Sequence, residues 1–288
     1  MRHASPVRLR DVSENQERKR TARERLQQER ASQKAREKRR RTLIITAAVV
    51  GVLGLAAVVG VIAANAGKNA SKDGSDAGPL LAPAGAQGKD QLAIPVGASD
   101  APATLTVWED FRCPVCGQFE NVFRATIHEL EEAGKLKVEY HLATIIDGNM
   151  GGSGSLRAAN AAACAQDVGR FGPYHDVLYQ NQPPEQEDAF GENSRLIELA
   201  GKVEGLVTPA FRSCVEEGKH DAWVAKSNTA FVNGGFRGTP TLLLNGESIF
   251  PNKGGEQLSV ANLKKWVEAA NKGKKPGTST PIPSAGAS

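Results

Sequence analysis

The hydrophobic and polar positions of this 288-residue chain fall into three regimes. From Thr42 to Gly67 there is no charged residue, and Leu43 to Ala64 is almost wholly apolar. At 1.5 Å per residue a helix of about 22 positions spans ~33 Å, the depth of a bilayer's hydrocarbon core. The pattern predicts a single transmembrane helix over residues 43–65. A secretory signal has a shorter apolar stretch, starts near the N-terminus and ends at a small-residue cleavage site. Cleavage near Ala63–Ala66 is therefore the alternative to an uncleaved anchor. Residues 66–91 and 273–288 are rich in Gly, Ala, Ser and Pro without periodicity, and read as a flexible linker and a disordered tail.

Between them, residues 92–272 have the length of one domain and switch period in an informative order. Thr104 to Phe111 is rich in β-branched and aromatic residues and predicts a strand. Phe119, Val122, Phe123, Ile127 and Leu130 then repeat at three and four, a helix that stops near Gly134. Leu136, Val138, Tyr140 and Leu142 alternate with polar residues, giving a half-buried strand and completing a β-α-β unit. A long stretch of helical content follows over residues 155–231. Thr241–Leu244 and Ser248–Phe250 flank Asn245-Gly246, a strong hairpin signal, and Val260 to Ala270 closes as an amphipathic helix. The expected class is α/β with a helical insertion, preceded by one N-terminal transmembrane helix.

Charge orients this layout. The formal net charge of +4 hides 15 Lys+Arg against 6 Asp+Glu in residues 1–42, which leaves the rest of the chain acidic. The cluster Lys38, Arg39, Arg40 and Arg41 abuts one end of the apolar helix, so the positive-inside rule keeps residues 1–42 cytoplasmic and puts the folded domain outside the cytoplasm, tethered to the lipid bilayer. The basic segment has no interleaved aromatics for base stacking, which argues against a nucleic-acid partner.

The chemistry lies in Cys113-Pro114-Val115-Cys116 at the start of the first predicted helix. Two cysteines three apart on a helix turn bring both sulfurs within bridging distance, and the first faces unpaired backbone N–H groups that stabilise a thiolate. A stable thiolate leaves readily, so the disulfide form is oxidising. A zinc site needs a second ligand pair at matching spacing, and neither the other cysteines nor the five histidines supply one, so no metal is expected. Cys164 and Cys214 lie in the insertion; an even cysteine count outside the cytoplasm favours a structural disulfide between them. Two buried thiols, or a second redox pair, are the alternatives. Gly148 to Gly154 reads as a mobile loop, and His141 and His175 as surface residues.

Three separated segments resemble one family, the thioredoxin-like DsbA group of thiol:disulfide oxidoreductases in its membrane-anchored or exported bacterial form. They are Val96–Val107 (VGASDAPATLTV), Asp110–Phe119 (DFRCPVCGQF) and Gly235–Gly246 (GFRGTPTLLLNG), in the family's order over about residues 94–271. The resemblance implies a thioredoxin-like fold, and an enzyme that introduces disulfides into exported cysteine-containing proteins. Cys113 would be the exposed sulfur that exchanges with clients, and Cys116 its buried resolving partner. Thr239-Pro240 would be a cis-proline pair that binds the client backbone. The redox-active pair serves in place of any cofactor, a quinone-linked membrane protein is the implied reoxidant, and the enzyme is expected to be a monomer.

Two positions depart from the family pattern. Family members usually carry a carboxylate six residues before the first cysteine, where it can help move a proton; this chain has Val107 there, and Glu109, Asp110 or a water are the alternatives, with the proton-transfer group unassigned. Strongly oxidising relatives often have His where Val115 stands, and Val cannot stabilise a thiolate. A reductase or isomerase of the same fold is thus the alternative reading, and an envelope binding domain with CPVC as a structural bridge is the third.

Overall fold

The computed structural model describes residues 79–279. The expected cytoplasmic segment, the transmembrane helix and residues 66–78 of the linker lie outside the described residues. Among those described, no helix is long and apolar enough to cross a membrane.

A five-stranded sheet in the order β1-β3-β2-β4-β5 carries the fold. Its strands are β1 (Ile94–Val96), β2 (Thr104–Glu109), β3 (Lys137–Leu142), β4 (Thr241–Leu244) and β5 (Glu247–Ser248). β2 and β3 run parallel, from Thr104 opposite Lys137 to Glu109 opposite Leu142, while β4 pairs antiparallel with β2. A parallel pair needs a crossover, and α1 (Pro114–Glu132) supplies it. The turn between β4 and β5 is the expected Asn-Gly hairpin, with φ 50° at Asn245 and 84° at Gly246. A two-stranded ribbon, β6 (Asn252–Lys253) with β7 (Glu256–Gln257), precedes the last helix.

Alternation along β2 divides the core. Leu105 and Val107 join the main cluster with Phe119, Phe123 and Ile127 of α1 and with Leu263 and Val267 of the closing helix, Val260–Ala270. Trp108 points to the opposite face and packs with Ala143 and Phe231. The insertion comprises α2 (Ile145–Met150), α3 (Gly154–Asp167), α4 (Phe171–Gln180), α5 (Asn193–Ala200), α6 (Pro209–Glu216) and α7 (Asp221–Asn233); the closing helix is α8. α3 has no amphipathic stripe because it is buried all round, with Ala158, Ala159, Ala161, Ala162, Ala163 and Ala165 fully enclosed. Small side chains let its neighbours approach closely. The bond between Cys164 of α3 and Cys214 of α6, 2.02 Å long, ties two of them together.

Three segments differ from the sequence reading, for one physical reason: backbone groups find partners where side-chain pattern gives no signal. The last part of the expected linker, residues 79–91, lies on the insertion; Ala84 N–H donates to Asp167 at 2.8 Å, and Gln87 and Ala93 exchange two backbone bonds. The start of the expected disordered tail folds back, with Gly277 N–H donating to the Gly134 carbonyl at 2.8 Å and Ser279 N–H to Asp100 at 3.0 Å. Only glycine fits at 277, since a Cβ there would come within 2.6 Å of the Asp100 carboxylate. The Gly148–Gly154 stretch is no free loop: it ends α2 and turns into α3, its corner held by the Ser153 and Gly154 N–H groups on Asp188, both 2.9 Å.

Candidate active site

Cys113 is the N-cap residue of α1, in extended conformation with φ −71° and ψ 117°, and Pro114 follows at the first helical position. Proline there fixes the helix entry without losing a hydrogen bond, since that N–H has no intrahelical acceptor. No side chain caps the helix, so its first N–H groups are free for the Cys113 sulfur. Both CPVC cysteines are free and both are buried: Cys113, expected as the exposed sulfur, keeps only 5% of its surface because the Thr239-Pro240 loop lies over it, and Cys116 keeps none.

The Cys113 thiol titrates at about 6, far below an ordinary cysteine. The main cause is the Cys116 sulfhydryl, which hydrogen-bonds the thiolate; burial opposes it. The N–H groups of Cys116 and Val115 add to the stabilisation. Burial pushes Cys116 the other way, well above 9, helped by the neighbouring Cys113 and by the charge of Glu109. One sulfur is thus an anion at neutral pH and the other a thiol. A depressed acid stabilises the folded, reduced protein above the unfolded value and loses that contribution as pH falls through the folded one. For Cys113 the window runs from pH 9 down to 6, worth at most about 4 kcal/mol at its upper end. Stabilising the reduced form makes the disulfide form a stronger oxidant.

The expected client-binding pair lies opposite. Thr239-Pro240 is a cis peptide, and its Thr239 carbonyl lies 3.3 Å from Cys113 Sγ, accepting from it when the sulfur is protonated. The backbone of this loop thus faces the Cys113 sulfur directly. The Cys164–Cys214 bond belongs to the insertion and contributes no atom here.

Several residues that sequence reasoning passed over hold the CPVC loop. Gln182 donates its amide to the carbonyls of Phe111 and Cys113, both at 2.9 Å, and it approaches so closely that a Cβ at Gly117 would collide with it. Arg112 is 2% exposed; its guanidinium meets Asp147 at 2.6 Å, Asp188 at 3.0 Å and the Gly151 carbonyl at 2.8 Å. The glycine-rich corner is therefore part of the scaffold of the cysteine loop.

Beneath the site, Val107 leaves the core apolar and the two nearby carboxylates take different positions. Asp110 is fully buried and accepts from the N–H groups of Arg112 (2.8 Å) and Ile146 (2.9 Å); burial raises its carboxyl to about 7. Glu109 accepts from His175 at 2.8 Å. His175 is thus no surface residue: it is 2% exposed, enclosed by Phe111, Tyr140, Phe171 and Tyr179. Burial disfavours its imidazolium, but Glu109 and Glu120 outweigh this and raise it well above 6.5. Burial also raises the fully enclosed Glu120 to about 8, with the His175 charge pulling the other way. His141 is likewise half-buried, stacked on Trp108 at 4.1 Å, and burial lowers it to about 4.

Among the described residues, two groups of buried side chains bring potential metal ligands within 4.8 Å of one another, Glu109 with Glu120 and His175, and Cys164 with Cys214 and His220. In the first the imidazole is committed to Glu109, and in the second both sulfurs are spent on the disulfide.

The sequence model of the thioredoxin family matches residues 89–269. Serine/threonine-protein kinase PknE of Mycobacterium tuberculosis is 28% identical over 155 residues, 50% of this chain and 27% of the kinase. The chain thus spans about a quarter of the length of that relative. Among solved structures, reduced disulfide bond oxidoreductase DsbG of M. tuberculosis gives a TM-score of 0.54 at 29% identity, covering 64% of this chain and 89% of DsbG. Reduced DsbA of the same organism gives 0.54 at 28% identity, covering 65% and 95%. The sheet with its helical insertion is a thioredoxin-like fold of the DsbA and DsbG type.

Proposed function

The chain belongs to the thioredoxin family, and from that premise we propose that it is a thiol–disulfide oxidoreductase that introduces disulfides into exported proteins. The observation that carries this reading is the pairing of a Cys113 thiolate at a helix N-terminus with a Cys116 thiol sealed beneath it. A client thiolate attacks Cys113 Sγ of the Cys113–Cys116 disulfide, and Cys116 leaves as a thiolate that takes up a proton. A second client thiolate attacks the client sulfur of the mixed disulfide and expels the Cys113 thiolate. The client loses two electrons and gains one disulfide; the protein gains two electrons and holds two thiols.

Thr239 and Pro240 position the client by pairing with its extended backbone, a one-strand β-augmentation that tolerates many client sequences. The close approach of the Thr239 carbonyl to Cys113 supports this role. The redox-active pair is internal, so no separate cofactor takes part. The charge-free run from Thr42 to Gly67 and the basic cluster before it support a membrane-anchored protein with its catalytic domain outside the cytoplasm. A quinone-linked membrane protein is the proposed reoxidant.

A second reading has one observation in its favour. Val115, at 43% exposure in the loop, offers the thiolate no charge, which moves the couple toward a reductase or isomerase. The assay is transfer to a reduced, unfolded client. The oxidised protein is expected to oxidise two client thiols per chain and end as a dithiol at Cys113 and Cys116. A protein that keeps this disulfide in the presence of excess client thiol is not an oxidoreductase.

A further inference from the structure

The sheet face opposite α1 carries a cavity of about 450 Å³ that the exchange chemistry does not use. Its wall is aromatic and its rim charged: Trp108, His141, Phe236 and Ala230 line it together with Lys89 and Lys226. Trp108 stacks on His141 with centroids 4.1 Å apart and meets Phe236 at 5.5 Å. Phe236 lies against the end of α7, where Gly234 makes room for it; a Cβ at 234 would stand 2.8 Å from the ring. Lys226 pairs loosely with Asp90 at 3.8 Å across the rim, so the charges stay in water while the wall stays apolar.

The cavity adjoins the loop that faces Cys113. Phe236 precedes Thr239 by three residues on the same loop. Trp108 is the register partner of Thr241, two residues beyond Thr239 on β4. At about 3.3 Å per residue, an extended chain paired at Thr239 reaches the cavity within two to four residues.

We propose that this cavity is a specificity subsite that receives one bulky apolar side chain, preferably aromatic, two to four residues from the reacting cysteine of a client. The inference rests on the reading of Cys113 as the client-exchange sulfur. Reduced, unfolded chains expose such side chains, whereas folded proteins bury them, so the subsite selects clients that still need oxidation. An aromatic ring suits the Trp108–His141 wall because offset-stacked and edge-to-face pairs add to simple burial.

The test uses the full-length oxidised protein and measures the rate at which the thiolate of a single-cysteine peptide opens the Cys113–Cys116 disulfide, giving a mixed disulfide at Cys113 and a free Cys116, read as the peptide adduct by mass after an acid quench. One Phe is placed at each position from four before to four after the cysteine in a Gly/Ser background, with dithiothreitol as the control thiol. One offset is expected to react at least tenfold faster than the peptide without Phe. Ala230→Leu, which fills the cavity, and Phe236→Ala, which removes part of its wall, are each expected to abolish that preference. Both are expected to leave the dithiothreitol rate within twofold, which shows that fold and exchange chemistry are intact. A flat profile across all offsets, or a Phe preference that survives in both variants, overturns the subsite while leaving the oxidoreductase reading standing. A disulfide that neither peptides nor dithiothreitol reduce overturns that reading, and the subsite with it.

Discussion

Cys113→Ser is expected to bring oxidation of a reduced client down to the uncatalysed rate, because a chain with one active-site sulfur has no disulfide to hand over. Cys116→Ala is equally unable to oxidise, yet it fails in a different way. Its Cys113 remains and still attacks a client disulfide, but no second sulfur resolves the product, so a mixed disulfide at Cys113 accumulates. The same variant removes the largest stabiliser of the Cys113 thiolate, the Cys116 sulfhydryl. The remaining thiol is therefore expected to titrate above 6 and to react more slowly with iodoacetamide at pH 6 than in the parent. Mass-tagged thiol trapping after exposure to client disulfide separates the cases. Accumulation in Cys116→Ala, with none in Cys113→Ser, assigns the exchanging sulfur to Cys113. Equal trapping in both variants contradicts that assignment.

The second large effect concerns stability. Cys164 and Cys214 are separated by 50 positions, and on the chain-entropy estimate a bridge closing such a loop is worth at most about 4 kcal/mol. Cys164→Ala and Cys214→Ala are each expected to lower the free energy of unfolding by about 2–4 kcal/mol. The double variant is expected to fall within about 1 kcal/mol of either single one, because the bond is lost once. Their exchange rate with dithiothreitol is expected to match the parent, since the bridge ties α3 to α6 and touches none of the atoms around Cys113. Denaturant unfolding of the reoxidised variants measures the first effect. Independent, additive losses from the two single changes contradict a shared bond.

Much of this layout was legible because its signals are local. The alternation of β3, the Asn245-Gly246 turn and the stripe of α8 appear where their residues predict, and so does the three-four repeat of α1 except at Val122, which is 60% exposed and lies off the buried stripe. The buried cluster of Glu109, Glu120 and His175 could also have been found in part. Cys116, Phe119, Glu120, Phe123, Ile127 and Leu130 form the buried stripe of α1, so Glu120 stands on the apolar face by register alone. His175 falls in the same way on the stripe Phe171, Tyr174, Leu178 and Tyr179 of α4. A polar residue at an apolar position is the signal, and the expectation of a surface His175 overlooks it. Other features leave no such trace. The contact of Gln182 with the CPVC loop spans 69 residues, and the Arg112 network draws on Asp147 and Asp188 from either side of α3. Docking of residues 79–91 and 273–279 depends on backbone bonds, which Gly- and Pro-rich composition does not announce. α3 hid its burial because alanine on all sides carries no periodicity.

The proposed oxidase role requires Cys113 and Cys116 to form a net oxidising couple, with the buried Cys116 thiol and the helix N-terminus compensating for Val115. The most direct test is the equilibrium of that couple with glutathione at pH 7, read by mass-tagged trapping of the two thiols. A reduction potential of about −120 to −180 mV is predicted, in the range of proteins that donate disulfides. A potential of about −250 mV or lower would contradict the claim and make the protein a reductase of the same fold.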